Sequence, residues 1–226
     1  MKHEGKAGEA GRRILLFSVM VLGMLFGVGL LASLLEKLVL PASGLFIGLW
    51  IVFAGFALYF FRDPTPQVPV GDELIVSPAH GKVDVIDEME EKDFMGGRCK
   101  RVSIFLSVFD VHVQNAPVSG TIALLRHKPG QFINAIKADS ALYNENVLVG
   151  FECEDGKKLS IRLIAGLIAR RIVPWVQPAD SVAAGERISL IQFGSRVDVY
   201  LPPTAEVAVR LGERVIGGET VLARWS

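Results

Sequence analysis

Gly194-Ser195 joins two runs in which apolar and polar residues alternate, and it places a small hydroxyl nucleophile beside a glycine. Alternation with a period of two is typical of β-strands, and a glycine between such runs marks a break or bulge. Because glycine adds no side chain, the serine hydroxyl has room to attack the carbonyl carbon of the preceding residue. A Gly-Ser pair alone is more often a turn, so this chemistry also needs a base elsewhere in the chain.

His112 is the candidate for that base. It lies near the end of an apolar run from Val102 to Val113. An imidazole can accept a proton and return it near neutral pH. The alternative reading of a lone histidine in such a run is a hydrogen-bonded core residue.

The elements that must position these residues are mainly β-strands. From Leu74 onward the pattern is strand-like, and 151–163 predicts a hairpin that turns at Asp155-Gly156. One helix is predicted after Pro129-Gly130, with apolar positions at Phe132, Ile133 and Ile136. The expected fold class is α+β, a mainly antiparallel β catalytic domain preceded by an N-terminal transmembrane helical hairpin.

The hairpin is predicted from two apolar runs, Ile14 to Leu35 and Leu38 to Phe61. About 20 apolar residues suffice to cross a bilayer as a helix. The second run is interrupted early by Pro41 and Gly44, so one spanning helix with one interfacial helix remains an alternative. The predicted boundaries are a tail over 1–13, the hairpin over 14–61 and the folded domain over 62–226.

Basic residues precede the first run: Lys2, Lys6, Arg12 and Arg13. Positive charges favour the cytoplasmic side, so the amino terminus is expected there. A complete hairpin returns the chain to the same side, which predicts a cell-membrane protein whose domain faces the cytoplasm, with Arg62 at the head-group level.

Charge and cysteine content exclude other classes. Lys+Arg and Asp+Glu both number 24, so no basic field predicts nucleic-acid binding. Cys99 and Cys153 show no paired metal-ligand spacing, and we expect ordinary buried or half-buried thiols and no metal.

The chain resembles the phosphatidylserine decarboxylases of the short prokaryotic type from about Phe61 to its end. Blocks of sequence carry the resemblance in the family's order: Phe61-Arg-Asp-Pro64, Ser77-Pro-Ala-His-Gly-Lys-Val83, Phe105-Leu-Ser-Val-Phe-Asp-Val-His-Val113, Ala116-Pro-Val-Ser-Gly120, Pro129-Gly-Gln-Phe132, Asn144-Glu-Asn146, Ile164-Ala-Gly-Leu-Ile-Ala-Arg-Arg-Ile-Val173, Gly185 to Pro202 and Gly218-Glu-Thr-Val-Leu222.

The resemblance implies self-cleavage between Gly194 and Ser195. Ser195 would attack the Gly194 carbonyl to form an ester, and elimination followed by loss of ammonia would leave a covalent pyruvoyl group at position 195. That carbonyl would form a Schiff base with the amine of phosphatidylserine in the membrane and accept electrons as CO2 leaves, giving phosphatidylethanolamine. The two fragments are expected to remain associated, and a homodimer is a further expectation.

The catalytic residues implied are Ser195, His112 and the residue at position 80. The family usually has aspartate where this chain has His80, so the activation machinery departs from the pattern here. A neutral His80 could orient His112 but could not offset its positive charge. The carboxylates considered as substitutes are those of Asp84, Asp110 and Asp198.

Arg170 and Arg171 are the candidates for binding the lipid phosphate, because guanidinium suits bidentate contacts with oxyanions. In an extended segment adjacent side chains point to opposite faces, so at most one would face a given pocket. Surface charge is the alternative for both, and Lys82 and Arg196 are weaker candidates of the same kind.

Two other functions compete with the decarboxylase. An unprocessed, non-catalytic family member that binds lipid is favoured by His80. A lipid-directed serine hydrolase would use Ser195 and His112 as a dyad, but the chain has no Gly-x-Ser-x-Gly motif.

Overall fold

The computed structural model describes residues 5–31, 39–133, 143–166, 171–192 and 194–226, and the side chains of 43–226 and 5–30 within them. The chain divides into two compact units, Gly5–Asp63 and Pro64–Ser226. The first is helical and the second is built almost entirely from β-strands.

The helical unit contains α1 (Lys6–Leu31) and α2 (Val39–Phe60). Trp50 Nε1 donates a hydrogen bond of 2.9 Å to Ser18 Oγ, and a Cβ on Gly11 would lie 2.9 Å from the Cβ of Phe61. The start of α1 therefore lies beside the end of α2, and the helices run antiparallel. Within the described residues, both are long and apolar enough to cross a membrane, as judged by length and composition.

Pro41 does not prevent α2 from beginning at Val39, because it falls in the first turn. A backbone N–H in that turn has no partner within the helix, so proline loses nothing there. α1 begins at Lys6, ahead of the apolar run itself. Glu36 and Lys37, between the two runs, lie outside the described residues.

The strands of the second unit, in chain order, are β1 (Leu74–Val76), β2 (Gly81–Glu91), β3 (Gly97–Leu106), β4 (Val113–Asn115), β5 (Gly120–Lys128), β6 (Asn146–Glu152), β7 (Lys158–Ala165), β8 (Ile172–Pro174), β9 (Ser181–Val182), β10 (Arg187–Ile191), β11 (Ser195–Leu201), β12 (Glu206–Val207), β13 (Arg214–Val215) and β14 (Val221–Arg224).

In the described part of the chain these strands form one large antiparallel sheet and two small ones. The large sheet has the order β13-β2-β3-β11-β7-β6-β5-β9, and the small ones are β4-β10-β8 and β1-β14-β12. The α+β expectation, with mainly antiparallel strands and two apolar N-terminal helices that could form a membrane hairpin, is confirmed.

β11 lies in the middle of the large sheet, between β3 and β7. Val197, Val199 and Leu201 on one face belong to the main hydrophobic core. Arg196, Asp198 and Tyr200 point to the opposite face, because side chains alternate along a strand. Every residue of β11 is buried, so both faces of this strand are covered.

The second face is covered by the segment that ends β2. Phe94 and Met95 pack against a small cluster of Cys99, Leu148 and Tyr200. Glu91 holds this segment, because its carboxylate accepts the backbone N–H groups of Asp93, Phe94 and Met95 at 2.8–3.0 Å. Polar residues of the alternating pattern are therefore buried rather than solvated.

The hairpin predicted over 151–163 is confirmed. β6 pairs with β7 in a register that sets Glu152 opposite Lys158, and Gly156 in the turn has φ of 79°. The helix predicted after Pro129-Gly130 falls largely outside the described residues, as Ile136 does. The run from Val102 to Val113 is not one strand, because β3 ends at Leu106 and a turn follows.

Candidate functional site

Gly194 and Ser195 lie at the junction between β10, which ends at Ile191, and β11, which begins at Ser195. Gly194 has φ of 72°, a conformation that side chains of L-residues rarely adopt, and Ser195 is the first residue of β11. Ser195 is paired with Leu106 of β3 and with Ala165 of β7. The glycine break between two strands predicted from the sequence is confirmed, and it lies where the chain passes from the small sheet that contains β10 to the large sheet that contains β11.

The hydroxyl of Ser195 is buried without a partner. The residue is 0% exposed, and its Oγ makes no hydrogen bond to any residue that the structure describes. Leaving a buried hydroxyl unbonded costs about 1–3 kcal/mol, so such groups are uncommon in native proteins. The hydroxyl is therefore a candidate nucleophile, buried by the fold without a hydrogen bond to a described residue.

His112 contacts the residue before this serine. The N–H of Gly194 donates to His112 Nε2 over 3.0 Å, and His112 Nδ1 lies 2.8 Å from the carbonyl oxygen of Asp110. A carbonyl oxygen can only accept, so Nδ1 carries the proton and Nε2 is the acceptor. The ring thus presents its basic nitrogen to the backbone of the Gly-Ser pair.

The turn that carries His112 is fixed by the Asp110 side chain. Its carboxylate accepts from Ser107 N at 2.8 Å and from Ser107 Oγ at 2.7 Å, and it is ion-paired with Arg214. The turn is thereby closed on itself and tied to β13, so the Asp110 carbonyl is held in place for the imidazole.

His80 lies in a segment adjacent to the one that carries His112. Its Nδ1 accepts the N–H of Gly217 at 2.9 Å, and Pro78 O accepts the N–H of Asn115 at 2.8 Å. A Cβ on Gly217 would lie 2.8 Å from His80 Nδ1 and 2.9 Å from Asn115 Oδ1. Only glycine fits there, and the two side chains meet at this point.

The three carboxylates considered as substitutes for the family's aspartate all have other partners. Asp110 is engaged as described above. Asp84 Oδ2 lies 2.7 Å from Arg196 Nη1, and Asp198 Oδ1 lies 3.1 Å from Arg196 Nε. Burial raises the pKa of the Asp84 carboxyl, with the charge of Arg196 opposing that rise.

Arg196 is 1% exposed and bridges two carboxylates, on the face of β11 opposite Ser195. Its neighbourhood continues to Tyr200, whose pKa is raised by burial and whose hydroxyl accepts a hydrogen bond of 3.2 Å from Arg162. A guanidinium enclosed in this way is a structural group rather than a receptor for a lipid phosphate.

The arginines proposed for phosphate binding differ in what the structure gives. Arg170 lies outside the described residues, whereas Arg171 is exposed and its carbonyl accepts the N–H of Gln192 at 3.2 Å. This contact extends the pairing of β8 with β10 towards Gly194. Lys82 is exposed on β2, where it is paired with Arg214 of the edge strand β13.

Sequence reasoning missed four residues around this site, namely Gln114, Asn115, Ser189 and Gly217. Gln114 and Asn115 are adjacent amides in the fully buried strand β4. Two amides directly after an apolar run were the available signal. Ser189 and Gly217 gave none, because serine in a strand and glycine in a turn are common.

The cysteines are free, with Cys99 buried and Cys153 half-buried, as predicted. Burial raises the pKa of both thiols. Within the described ranges, no group of three or more histidine, cysteine, aspartate or glutamate residues is placed to hold a metal ion.

The fold and the site define a class of protein: an α+β domain with an antiparallel sheet and a Gly-Ser pair whose serine is buried, preceded by two long apolar helices. The family profile described as phosphatidylserine decarboxylase matches residues 53–223. The chain belongs to the phosphatidylserine decarboxylase family.

Curated relatives agree with this assignment. A phosphatidylserine decarboxylase proenzyme of Desulfotalea psychrophila is 43% identical over 176 residues, which cover 78% of this chain and 82% of that protein. The Symbiobacterium thermophilum protein of the same name is 45% identical over 176 residues, 76% of this chain and 82% of its own. A Rickettsia bellii proenzyme is 44% identical over 197 residues, 86% of this chain and 82% of its own.

Proposed function

We propose that the chain is a precursor that cleaves itself between Gly194 and Ser195 and then decarboxylates phosphatidylserine to phosphatidylethanolamine. The observation that carries the proposal is the buried hydroxyl of Ser195, which makes no hydrogen bond to any described residue and directly follows Gly194, whose amide donates to His112 Nε2. Family membership supplies the reaction class, and this geometry supplies the atoms for activation.

The activation chemistry uses the chain's own groups. Ser195 Oγ attacks the Gly194 carbonyl carbon, its proton passes to a base, and the scissile amide nitrogen is released as the amine of an ester. A base then removes the α-proton of residue 195, the ester bond breaks, and Gly194 leaves as a carboxylate. Water replaces the nitrogen of the resulting dehydroalanine, and ammonia is lost.

His112 is the proposed base, and His80 supports activation from the neighbouring segment. The Nε2 lone pair of His112 already faces the Gly194 amide, one peptide unit from the hydroxyl. His80 accepts from Gly217 through Nδ1, so a neutral His80 carries its proton on Nε2 and can donate from there. His112 thus presents an acceptor nitrogen and His80 a donor nitrogen, which favours a base role for His112 and a supporting role for His80.

The residues present fit a pyruvoyl group at position 195. It would occupy the start of β11, between β3 and β7, where the buried serine hydroxyl makes no hydrogen bond within the described part of the chain. Such a group would supply an electron sink for the electrons of the bond between the α-carbon and the carboxylate carbon when that bond breaks and CO2 leaves. His112 would then return a proton to the product's α-carbon.

The two fragments, residues 1–194 and 195–226, are proposed to remain associated. β11 belongs to the small fragment, yet both of its neighbours in the sheet belong to the large one. The ion pair between Asp84 and Arg196 also joins the two fragments. Separation would expose strand edges and a buried charge, both of which are costly.

The two apolar helices are proposed to form a membrane hairpin with the β domain on the cytoplasmic side. Arg62 supports this, because its guanidinium lies 4.0 Å from the ring centroid of Tyr59 at the end of α2, a pairing suited to the head-group layer. Arg171 is the proposed phosphate ligand that the structure describes, with Arg170 beside it in sequence. A homodimer stays a prediction.

The second candidate is an unprocessed lipid-binding protein, favoured by His80 in place of the family's usual aspartate. One experiment separates the two. Intact mass is measured on the detergent-solubilised full-length chain, on Ser195→Ala and on Ser160→Ala. Ser160 is also buried with no hydrogen bond from its hydroxyl to a described residue, but it follows Leu159 rather than a glycine.

We expect the wild type and Ser160→Ala to give fragments 1–194 and 195–226, the smaller one blocked at its amino terminus and reactive towards hydrazine. Ser195→Ala should stay whole. A wild type that remains a single chain under folding conditions would overturn the decarboxylase proposal and leave the lipid-binding one.

A further inference from the structure

Ser189 and Gln114 form a buried relay that ends on the backbone of His112. Ser189 Oγ donates to Gln114 Oε1 over 2.7 Å, and Gln114 Nε2 donates to the carbonyl oxygen of His112 over 2.6 Å. All three residues are at most 1% exposed. Because a carbonyl can only accept, the amide of Gln114 has one orientation that satisfies both contacts.

The relay lies at the end of the β4–β10 pairing. His112 directly precedes β4, and β10 pairs with β4 through Ser189 opposite Gln114 and Leu190 opposite Val113. The Ile191 N–H reaches the His112 carbonyl only at 3.2 Å. The Gln114 amide supplies a second and shorter donor to the same oxygen, so the peptide after His112 is fixed from two sides.

The same strand leads to the cleavage site. β10 ends at Ile191, and Gly194 follows after Gln192 and position 193. One element therefore supports the histidine and delivers the scissile peptide, so their relative position is set by β10.

The relay and the Gly194 contact have different fates after cleavage. Gly194 becomes a chain end, and its amide contact with His112 no longer constrains a continuous backbone. Ser189, Gln114 and His112 all lie in the large fragment, so their hydrogen bonds survive processing.

We infer that Gln114 and Ser189 are positioning residues that hold His112 for the decarboxylation cycle, after the Gly194 peptide has been broken. The effect on kcat rests on the proposed function, whereas the effect on the position of the His112 ring rests on the hydrogen bonds alone. Ser189 acts on His112 only through Gln114, which gives the two residues a definite order.

The kinetic test compares full-length Gln114→Met, Ser189→Ala and the double variant in detergent micelles containing phosphatidylserine. kcat is expressed per pyruvoyl group, titrated with a hydrazide, so slow processing does not count as low activity. We expect Gln114→Met to lower kcat about ten- to a hundredfold with KM unchanged, because small misplacements of a catalytic group are costly. Ser189→Ala should lower it less.

The order of the relay predicts that the double variant is no worse than Gln114→Met alone, since Ser189 has nothing to act on once the amide is gone. Ser160→Ala is the matched control. Ser160 is a buried serine on β7 whose hydroxyl makes no hydrogen bond to the residues that the structure describes, and the kcat of the variant should equal that of the wild type. Per-pyruvoyl kcat of Gln114→Met within twofold of wild type would overturn the inference. If Gln114→Met does not fold, an unchanged kcat in Ser189→Ala would do so.

A second readout does not depend on catalysis. In the unprocessed Ser195→Ala chain, 15N NMR of the imidazoles should show His112 protonated at Nδ1, with the signal assigned by loss in His112→Asn. Adding Gln114→Met should shift that signal or broaden it by tautomer exchange, and Ser160→Ala should not. An unchanged His112 signal would reject the relay, whereas absence of cleavage in the wild type would reject only the proposed function.

Discussion

The backbone amide of Gly194 donates to Nε2 of His112 across 3.0 Å, while the neighbouring Ser195 hydroxyl makes no hydrogen bond to the described residues. The basic nitrogen is thus engaged by the peptide that precedes the nucleophile. In the proposed activation, proton transfer from Ser195 to His112 would require this amide contact to loosen, so the contact would belong to the chain before cleavage.

His112→Ala is expected to slow chain cleavage about 10²- to 10⁴-fold, the usual contribution of a general base, and to abolish decarboxylation by any processed fraction. His112→Gln can still accept an N–H but has no basic nitrogen, so it should recover the fold without the rate. The measurement is the time course of the 1–194 fragment after synthesis. Cleavage of His112→Ala at the wild-type rate would assign the processing base elsewhere.

His80 is tested by two substitutions with opposite expected effects. His80→Ala removes the acceptor for the Gly217 N–H and should slow cleavage. His80→Asp restores the family's usual residue and a negative charge that stabilises an imidazolium, so cleavage should be at least as fast as in the wild type. Equal rates in all three proteins would make His80 a turn residue.

Arg196→Met in the uncleaved Ser195→Ala background should lower the free energy of unfolding by about 3–5 kcal/mol, because the buried carboxylate of Asp198 and the half-buried carboxylate of Asp84 lose their shared cation. The matched control is Arg98→Met, which removes an ion pair with Glu88 whose side chains are 75% and 48% exposed. That pair is worth at most about 1 kcal/mol. Chemical denaturation measures both, and equal losses would contradict the structural role of Arg196.

The same variant has a predictable pH dependence. Burial raises the pKa of Asp84 above 3.8 in the folded chain, and Arg196 opposes that rise. The folded chain then binds more protons than the unfolded chain above pH 3.8, so stability falls as pH rises towards the folded pKa. Arg196→Met removes the opposing charge, so its deficit should be larger at pH 7 than at pH 4. A deficit independent of pH would show that Asp84 stays fully ionised.

Arg171→Gln should raise KM for phosphatidylserine about tenfold with a smaller effect on kcat, since a lost phosphate contact weakens binding before chemistry. Arg224→Gln is the control, another exposed arginine, which pairs with Glu73. Kinetics in mixed micelles test this. Unchanged KM in Arg171→Gln would leave Arg170 as the remaining candidate.

The two thiols should differ in reactivity. Burial raises both pKa values, so less thiolate is present near pH 8 than in a free cysteine, and labelling should accelerate as pH rises above 9. Cys153, half-buried, should react before Cys99, which is 0% exposed. Mass spectrometry after iodoacetamide treatment locates the label, and Cys153→Ser is the control. Labelling of Cys99 before Cys153 would contradict the packing of Cys99 against Leu148 and Tyr200.

The sequence by itself determined the features that depend on local pattern. Two long apolar runs predict the helices, Asp155-Gly156 predicts its hairpin, and the glycine break predicts that Ser195 begins a strand. The ordered motifs around Ser195 and His112 also identified the family, because residue types and their spacings can be read from the sequence without knowing the fold.

Only the tertiary structure decided which distant residues meet. The sequence made Arg196 a candidate phosphate ligand, but in the structure it is buried and pairs with Asp84 from another strand and with Asp198. Nothing in the sequence singled out Ser189, yet the pairing of β10 with β4 brings it to Gln114 and hence to His112. Such contacts depend on strand order and register, which are set by burial summed over the whole sheet and leave no local signal at either residue.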